Sequence, residues 1–118
     1  LHWGYNFYNN QYSLAPINPY LINDADGAFP AGDAFLVYPG PDGKPEASLR
    51  LKVFHQALSD LRALQRLEQL TSREQVVDLI RSHLDGPLTF ARYPQEAAWL
   101  MRLRRAVNQA ISEHCQGL

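Results

Sequence analysis

Apolar and polar positions along the chain follow two different periods, and the change between them falls near residue 46. The run Leu1 to Phe7 is aromatic and apolar, which predicts a buried strand. Its pleat sets Trp3, Tyr5 and Phe7 on one side and His2, Gly4, Asn6 and Tyr8 on the other. Residues 9 to 34 carry Asn, Pro, Asp and Gly at turn spacing and read as a long ordered loop. Phe35 to Tyr38 forms a second short strand, stopped by Pro39-Gly40-Pro41-Asp42-Gly43. Beyond it the period becomes helical. From about Ala47 to Leu70, Phe54, Ala57, Leu58, Leu61 and Leu64 share one face, opposite Lys52, Gln56, Ser59 and Arg66. Thr71 with Glu74 three residues later makes a capping box ahead of Val76, Val77, Ile80 and Leu84, and Gly86-Pro87 ends this second helix. The third starts near Pro94 and carries Leu100, Leu103, Val107, Ala110 and Ile111 as its stripe. The isolated chain is therefore expected to be α+β and mainly helical, with three amphipathic helices after a loop-rich, short-strand region. Residues 1–46 and 47–118 are its two regions, together one domain or part of one.

Composition sharpens that division, since six of the eight prolines and five of the seven glycines precede residue 46. A chain of 118 residues can bury roughly two thirds of its unfolded surface. The net charge of -1 gives no general attraction to phosphate backbones or anionic lipid, so neither nucleic acid nor a membrane is an expected partner. No 18-residue apolar run and no signal-peptide pattern occur, and the compartment stays open. Cys115 is the sole cysteine, which excludes an internal disulfide and a multi-cysteine zinc cluster; it reads as a packed thiol near a helix end. An opening as apolar as Leu1-His2-Trp3-Gly4-Tyr5-Asn6-Phe7, with no initiator methionine, reads as the middle of a structured element.

Two groups of residues offer chemistry. Trp3, Tyr5 and Asn6 suit a sugar, because an indole packs on the C–H face while Tyr and Asn bond hydroxyl or acetamido groups; aromatic strands are more often core, and core is the favoured reading of this trio taken by itself. The second group is Pro30-Ala31-Gly32-Asp33-Ala34-Phe35-Leu36-Val37-Tyr38-Pro39-Gly40, a Gly-Asp turn leading into an apolar strand. In the order Trp3, Tyr5-Asn6, Gly32-Asp33, Tyr38-Pro39-Gly40, Ser48-Leu49-Arg50 and Asp60, residues 1 to about 70 resemble the catalytic-domain family of glycoside hydrolase family 123. The resemblance implies a (β/α)8 barrel, with Leu1 to Phe7 as a late strand and Ala47 to Leu70 as the terminal helix. It also implies that Asn6 and the loop through Asp33 face the sugar at the strand ends. Catalysis in that family is substrate-assisted: the 2-acetamido oxygen attacks the anomeric carbon, an Asp orients it, and an adjacent Glu protonates the leaving oxygen. This chain contains no Asp-Glu dipeptide. Its long helix also departs from the family pattern, keeping Arg50 and Asp60 but placing Lys52, His55, Gln56, Ala57, Ser59, Leu61 and Arg62 at the other family positions.

The resulting expectations are specific. Trp3, Tyr5, Asn6, Asp33 and Tyr38 are the candidate carbohydrate contacts, and Arg50 and Asp60 are structural. Helical spacing puts Arg50 on the inward face, where a guanidinium needs carbonyls or an anion, and it is expected to brace the Asp33 loop. The Asn23-Asp24-Ala25-Asp26-Gly27 run fails as a calcium loop because Ile22 would occupy the first ligand position. His2, His55, His83 and His114 lack ligand spacing, so no metal or other cofactor is expected. The leading function is a C-terminal fragment of an N-acetylhexosaminidase-like glycoside hydrolase without its catalytic acid; the alternative is a small helical protein-interaction module. The aromatic opening strand further predicts self-association or attachment to an upstream barrel fragment.

Overall fold

A computed structural model of the chain describes residues 6–8, 16–24, 27 and 29–116. Trp3, Tyr5 and most of the expected Leu1 to Phe7 strand lie outside the described residues. Among the described residues the architecture is α+β, a two-stranded sheet followed by three helices.

Strand β1, Val37–Pro39, pairs antiparallel with β2, Pro45–Ala47, setting Val37 opposite Ala47, Tyr38 opposite Glu46 and Pro39 opposite Pro45. The reversal between them comes from Pro41-Asp42-Gly43. Gly40 N–H donates to Lys44 O at 2.8 Å, Gly43 N–H donates to Gly40 O at 3.1 Å, and Gly43 takes a φ of 76°, which side chains with a Cβ resist. The strand begins two residues later than the sequence implied, because Phe35 instead forms an isolated bridge with Asn6. β2 was not foreseen: three exposed residues, Pro-Glu-Ala, carry no alternation to reveal it.

Helix α1, Leu49–Leu70, starts where Ser48 Oγ accepts from Leu51 N–H at 3.1 Å. Helix α2, Arg73–Arg81, corrects the expected cap by one residue: Ser72 Oγ, not Thr71, accepts from Gln75 N–H. Thr71 belongs to the end of α1, where its hydroxyl donates to Leu67 O at 2.7 Å. α2 also stops before Leu84. Helix α3, Ala97–Gln116, begins three residues after Pro94, with Trp99 N–H donating to Glu96 O at 3.1 Å as its first turn closes. None of these helices is long and apolar enough to cross a membrane.

Contacts divide the chain into Leu1–Gln56 and Ala57–Leu118, so the boundary falls inside α1. The first unit buries Ile17, Ala34 and Phe35, with Phe7, Tyr8, Phe29 and Tyr38 against them. The second buries Leu67, Val76, Leu103 and Val107, flanked by Leu64, Leu79, Trp99 and Ile111. The expected α1 stripe is thus only partly a core stripe: Phe54, Leu58 and Leu61 are 48%, 38% and 50% exposed. Burial begins at the C-terminal end of the helix, where α2 and α3 supply the apolar partners. Asp60 receives both Nε and Nη2 of Arg104 at 2.7 Å, a bidentate pair that fastens α1 to α3 and holds the guanidinium proton more tightly than usual. Cys115 is exposed rather than packed.

Because only the end of α1 is packed, Leu67→Ala should cost about 2–4 kcal/mol, while Leu61→Ala should cost less than about 1 kcal/mol. Urea unfolding followed by circular dichroism measures both. Equal costs would mean that the exposed half of the stripe is covered after all.

Candidate functional site

Phe35 is fully buried, and its burial carries the neighbouring peptide groups away from water, where each needs a partner. The partners come from far along the chain. Phe7 N–H donates to Ala34 O at 3.0 Å, and Ser48 N–H donates to Leu36 O at 3.0 Å. Asn6 Oδ1 accepts from Val37 N–H at 3.0 Å, while the Tyr8 hydroxyl donates to Val37 O at 2.7 Å. The Tyr20 hydroxyl donates to Pro39 O at 2.8 Å and lies 3.4 Å from Glu46 Oε2.

Arg50 closes the other flank. Its Nε and Nη2 donate to Phe35 O at 3.3 and 3.2 Å, and Nη2 also donates to the Tyr38 hydroxyl at 2.8 Å. The residue is exposed rather than buried, contrary to the inward position its helical spacing implied. Its guanidinium lies over Gly32, where a Cβ would stand 2.5 Å from Nη1; Gly32 also has a φ of 81°. The left-handed backbone favours glycine there, and a Cβ would in addition push the Arg50 guanidinium away from Phe35 O.

Tyr8, Tyr20, Phe35 and Tyr38 form a connected aromatic group, with ring centroids 5.6 Å apart for Tyr8–Phe35, 6.1 Å for Phe35–Tyr38 and 5.2 Å for Tyr20–Tyr38. Beside it a concavity of about 550 Å³ opens between Tyr8, Tyr20 and Pro39. Desolvation, then the neighbouring Tyr38, raises the phenol pKa of Tyr8 above its ordinary value. For Tyr20 the causes are loss of solvent first and the Glu46 carboxylate second. The ring of Tyr20 is largely exposed, so the covered part is the hydroxyl held against Pro39.

Of the candidate residues, the fold gathers Asn6, Tyr38 and Arg50 around one strand. Asp33 lies in the preceding turn, its N–H donating to Pro30 O at 3.0 Å. Trp3 and Tyr5 are outside the described residues, and Asp60 belongs to the helical unit with Arg104. Tyr8 and Tyr20 were not singled out from the sequence. The available signal was Asn18-Pro19-Tyr20, in which Asn18 Oδ1 accepts from Tyr20 N–H at 3.0 Å and so aims the ring. Among the described residues, no three His, Cys, Asp or Glu side chains converge as a metal site. The described group offers ring faces, the Asn6 amide and phenol hydroxyls, with the Arg50 guanidinium on one flank and the Glu46 carboxylate beside Tyr20.

The family model for the glycoside hydrolase 123 catalytic domain matches residues 1–67. No curated protein matches the chain.

Two outcomes follow from this geometry. Gly32→Ala should cost about 2–3 kcal/mol, about 1–2 of it from the left-handed backbone and the rest from expelling Arg50. In an Arg50→Ala background only the backbone part should remain, so a double-mutant cycle by chemical unfolding gives a coupling of about 1 kcal/mol. The second concerns alkali. With folded phenol values raised, the tyrosines' contribution is fully present below the unfolded value of about pH 10 and is lost as pH rises through the folded values. Tyrosinate absorbance should therefore appear later in the native chain than after urea unfolding, and Tyr8→Phe should narrow the gap.

Proposed function

The chain belongs to the glycoside hydrolase 123 catalytic-domain family, and on that premise we propose that it forms the sugar-facing part of an N-acetylhexosaminidase-like catalytic domain without carrying its proton-transferring pair. The observation that carries the proposal is the family match in a sequence with no Asp-Glu dipeptide. Substrate-assisted cleavage needs one carboxylate to orient the acetamido group and its neighbour to protonate the leaving oxygen. Several of this chain's carboxylates are already committed, Asp60 to Arg104 and Asp42 to Lys44.

In this reading the chain contributes to a (β/α)8 barrel, with its opening strand late in the barrel and α1 as the closing helix. Trp3 stacks on the carbohydrate, and Tyr5, Asn6, Asp33 and Tyr38 bond it. The hydrogen bonds support roles for two of them. Asn6 has its side-chain oxygen held by Val37 N–H, which leaves its amide N–H groups to act as the donors. The Tyr38 oxygen accepts from Arg50, so its own hydrogen points away and Tyr38 meets a sugar as a donor. Arg50 is a positioning residue here.

The purified 118-residue chain should release no aryl alcohol from aryl N-acetyl-β-hexosaminides. Each missing proton-transfer group lowers the rate by about 10²–10⁴-fold. Turnover that disappears when one of the chain's own carboxylates is replaced would overturn the proposal.

A further inference from the structure

The concavity beside β1 is made of residues that take no part in the contacts just proposed. Its walls are the rings of Tyr8 and Tyr20, three prolines (Pro16, Pro19 and Pro39), Ile17 and Asn18. None of these side chains is charged. At the rim stands Glu46, whose Oε2 lies 3.4 Å from the Tyr20 hydroxyl. A phosphate, sulfate or carboxylate would meet that carboxylate and no cation among the lining residues. The surface is therefore matched to a neutral ligand.

It is also pre-ordered. Tyr20 is 57% exposed, yet its hydroxyl is fixed to Pro39 O at 2.8 Å, its N–H to Asn18 Oδ1 at 3.0 Å, and its ring lies 5.2 Å from that of Tyr38. The segment under it is tied down as well, Ile17 N–H donating to Tyr8 O at 2.6 Å and Ile22 N–H to Asn18 O at 2.9 Å. An exposed aromatic ring held at its hydroxyl, walled by prolines, loses less conformational freedom on binding than an untethered one. A ring face with an amide and a carboxylate at its edge suits a molecule with one C–H face and a circumference of hydroxyl donors.

We propose that this concavity is a binding subsite for a neutral pyranoside, with Tyr20 as its stacking platform, built from residues other than the sugar contacts proposed above. The proposal rests on the glycoside hydrolase reading for the class of ligand, and on the lining for its place and neutrality. Carbohydrate is favoured over a proline-rich peptide, the other ligand that aromatic grooves accept, by family membership.

Amide chemical shifts of the full chain, titrated separately with N,N′-diacetylchitobiose and with methyl N-acetyl-β-galactosaminide, test it. Saturable shifts are expected at Asn18, Tyr20 and Gly40 with either sugar. Tyr20→Ala should weaken binding by about 10-fold, the worth of one stacked ring, while Tyr20→Phe, which keeps the ring, should stay within about 3-fold. The wild-type shift map decides the matter even if Tyr20→Ala does not fold. Shifts confined to residues around Trp3, Tyr5 and Asn6 would overturn the subsite and leave the proposed function standing. Shifts with decaproline but with neither sugar would overturn it in favour of a peptide groove, as would the absence of any sugar shift. The aryl-glycoside assay, which does not depend on this concavity, tests the proposed function separately.

Discussion

Phe35 has no exposed surface, and that single burial sets the terms for everything around it. A two-stranded hairpin satisfies only the peptide groups that face its partner strand. The remaining groups on the buried residues Ala34, Phe35 and Leu36 would each cost about 1–3 kcal/mol if left unpaired, and those out to Pro39 less. Here they are met by Asn6, Tyr8, Tyr20 and Arg50 side chains and by the Phe7 and Ser48 backbones. The polar tips of these residues thus have a structural task first. What they can present to a ligand is what that task leaves over: ring faces, one amide nitrogen and one outward phenol hydrogen.

This explains which parts were legible in sequence and which were not. The three helices follow from a 3.6-residue period that the sequence beyond residue 46 displays. Their ends depend on competition between neighbours: Thr71 and Ser72 can both cap, and Thr71 was already bonded to Leu67 O at the end of α1. Asn6, Tyr38 and Arg50 were visible as chemistry-bearing residues beside an apolar strand. Tyr8 and Tyr20 were not, because their value lies in hydrogen bonds to Val37 and Pro39, 29 and 19 residues away. Asp60 was expected to be structural, but its partner Arg104, 44 residues distant, was not foreseen. Periodicity also says which face of a helix is apolar without saying how much of its length finds a cover, which is why Phe54, Leu58 and Leu61 were overestimated as core.

The family match ends at Leu67, which is itself the buried α1 residue of the helical core. Val76, Leu103 and Val107, the other buried members of that core, all come from sequence beyond the match. The helical unit is therefore built on the end of a helix that the family pattern reaches, from material that it does not describe. Its stability rests on its own apolar cluster, the Asp60–Arg104 pair and the Trp99 indole donating to His83 O.

The outer edge of β1 has a further effect, on the behaviour of the chain in crowded solution. A bare strand edge is a template on which another molecule can lay its own backbone, the first step toward fibrils. At Val37 both edge groups are occupied by side chains, at Pro39 the carbonyl is taken by Tyr20, and proline has no N–H to offer. Across the hairpin, Pro45 stands opposite Pro39, so that end of the ladder lacks donors on both strands. The tyrosines that shape the concavity thus also act as gatekeepers, making this short strand a poor seed for intermolecular pairing.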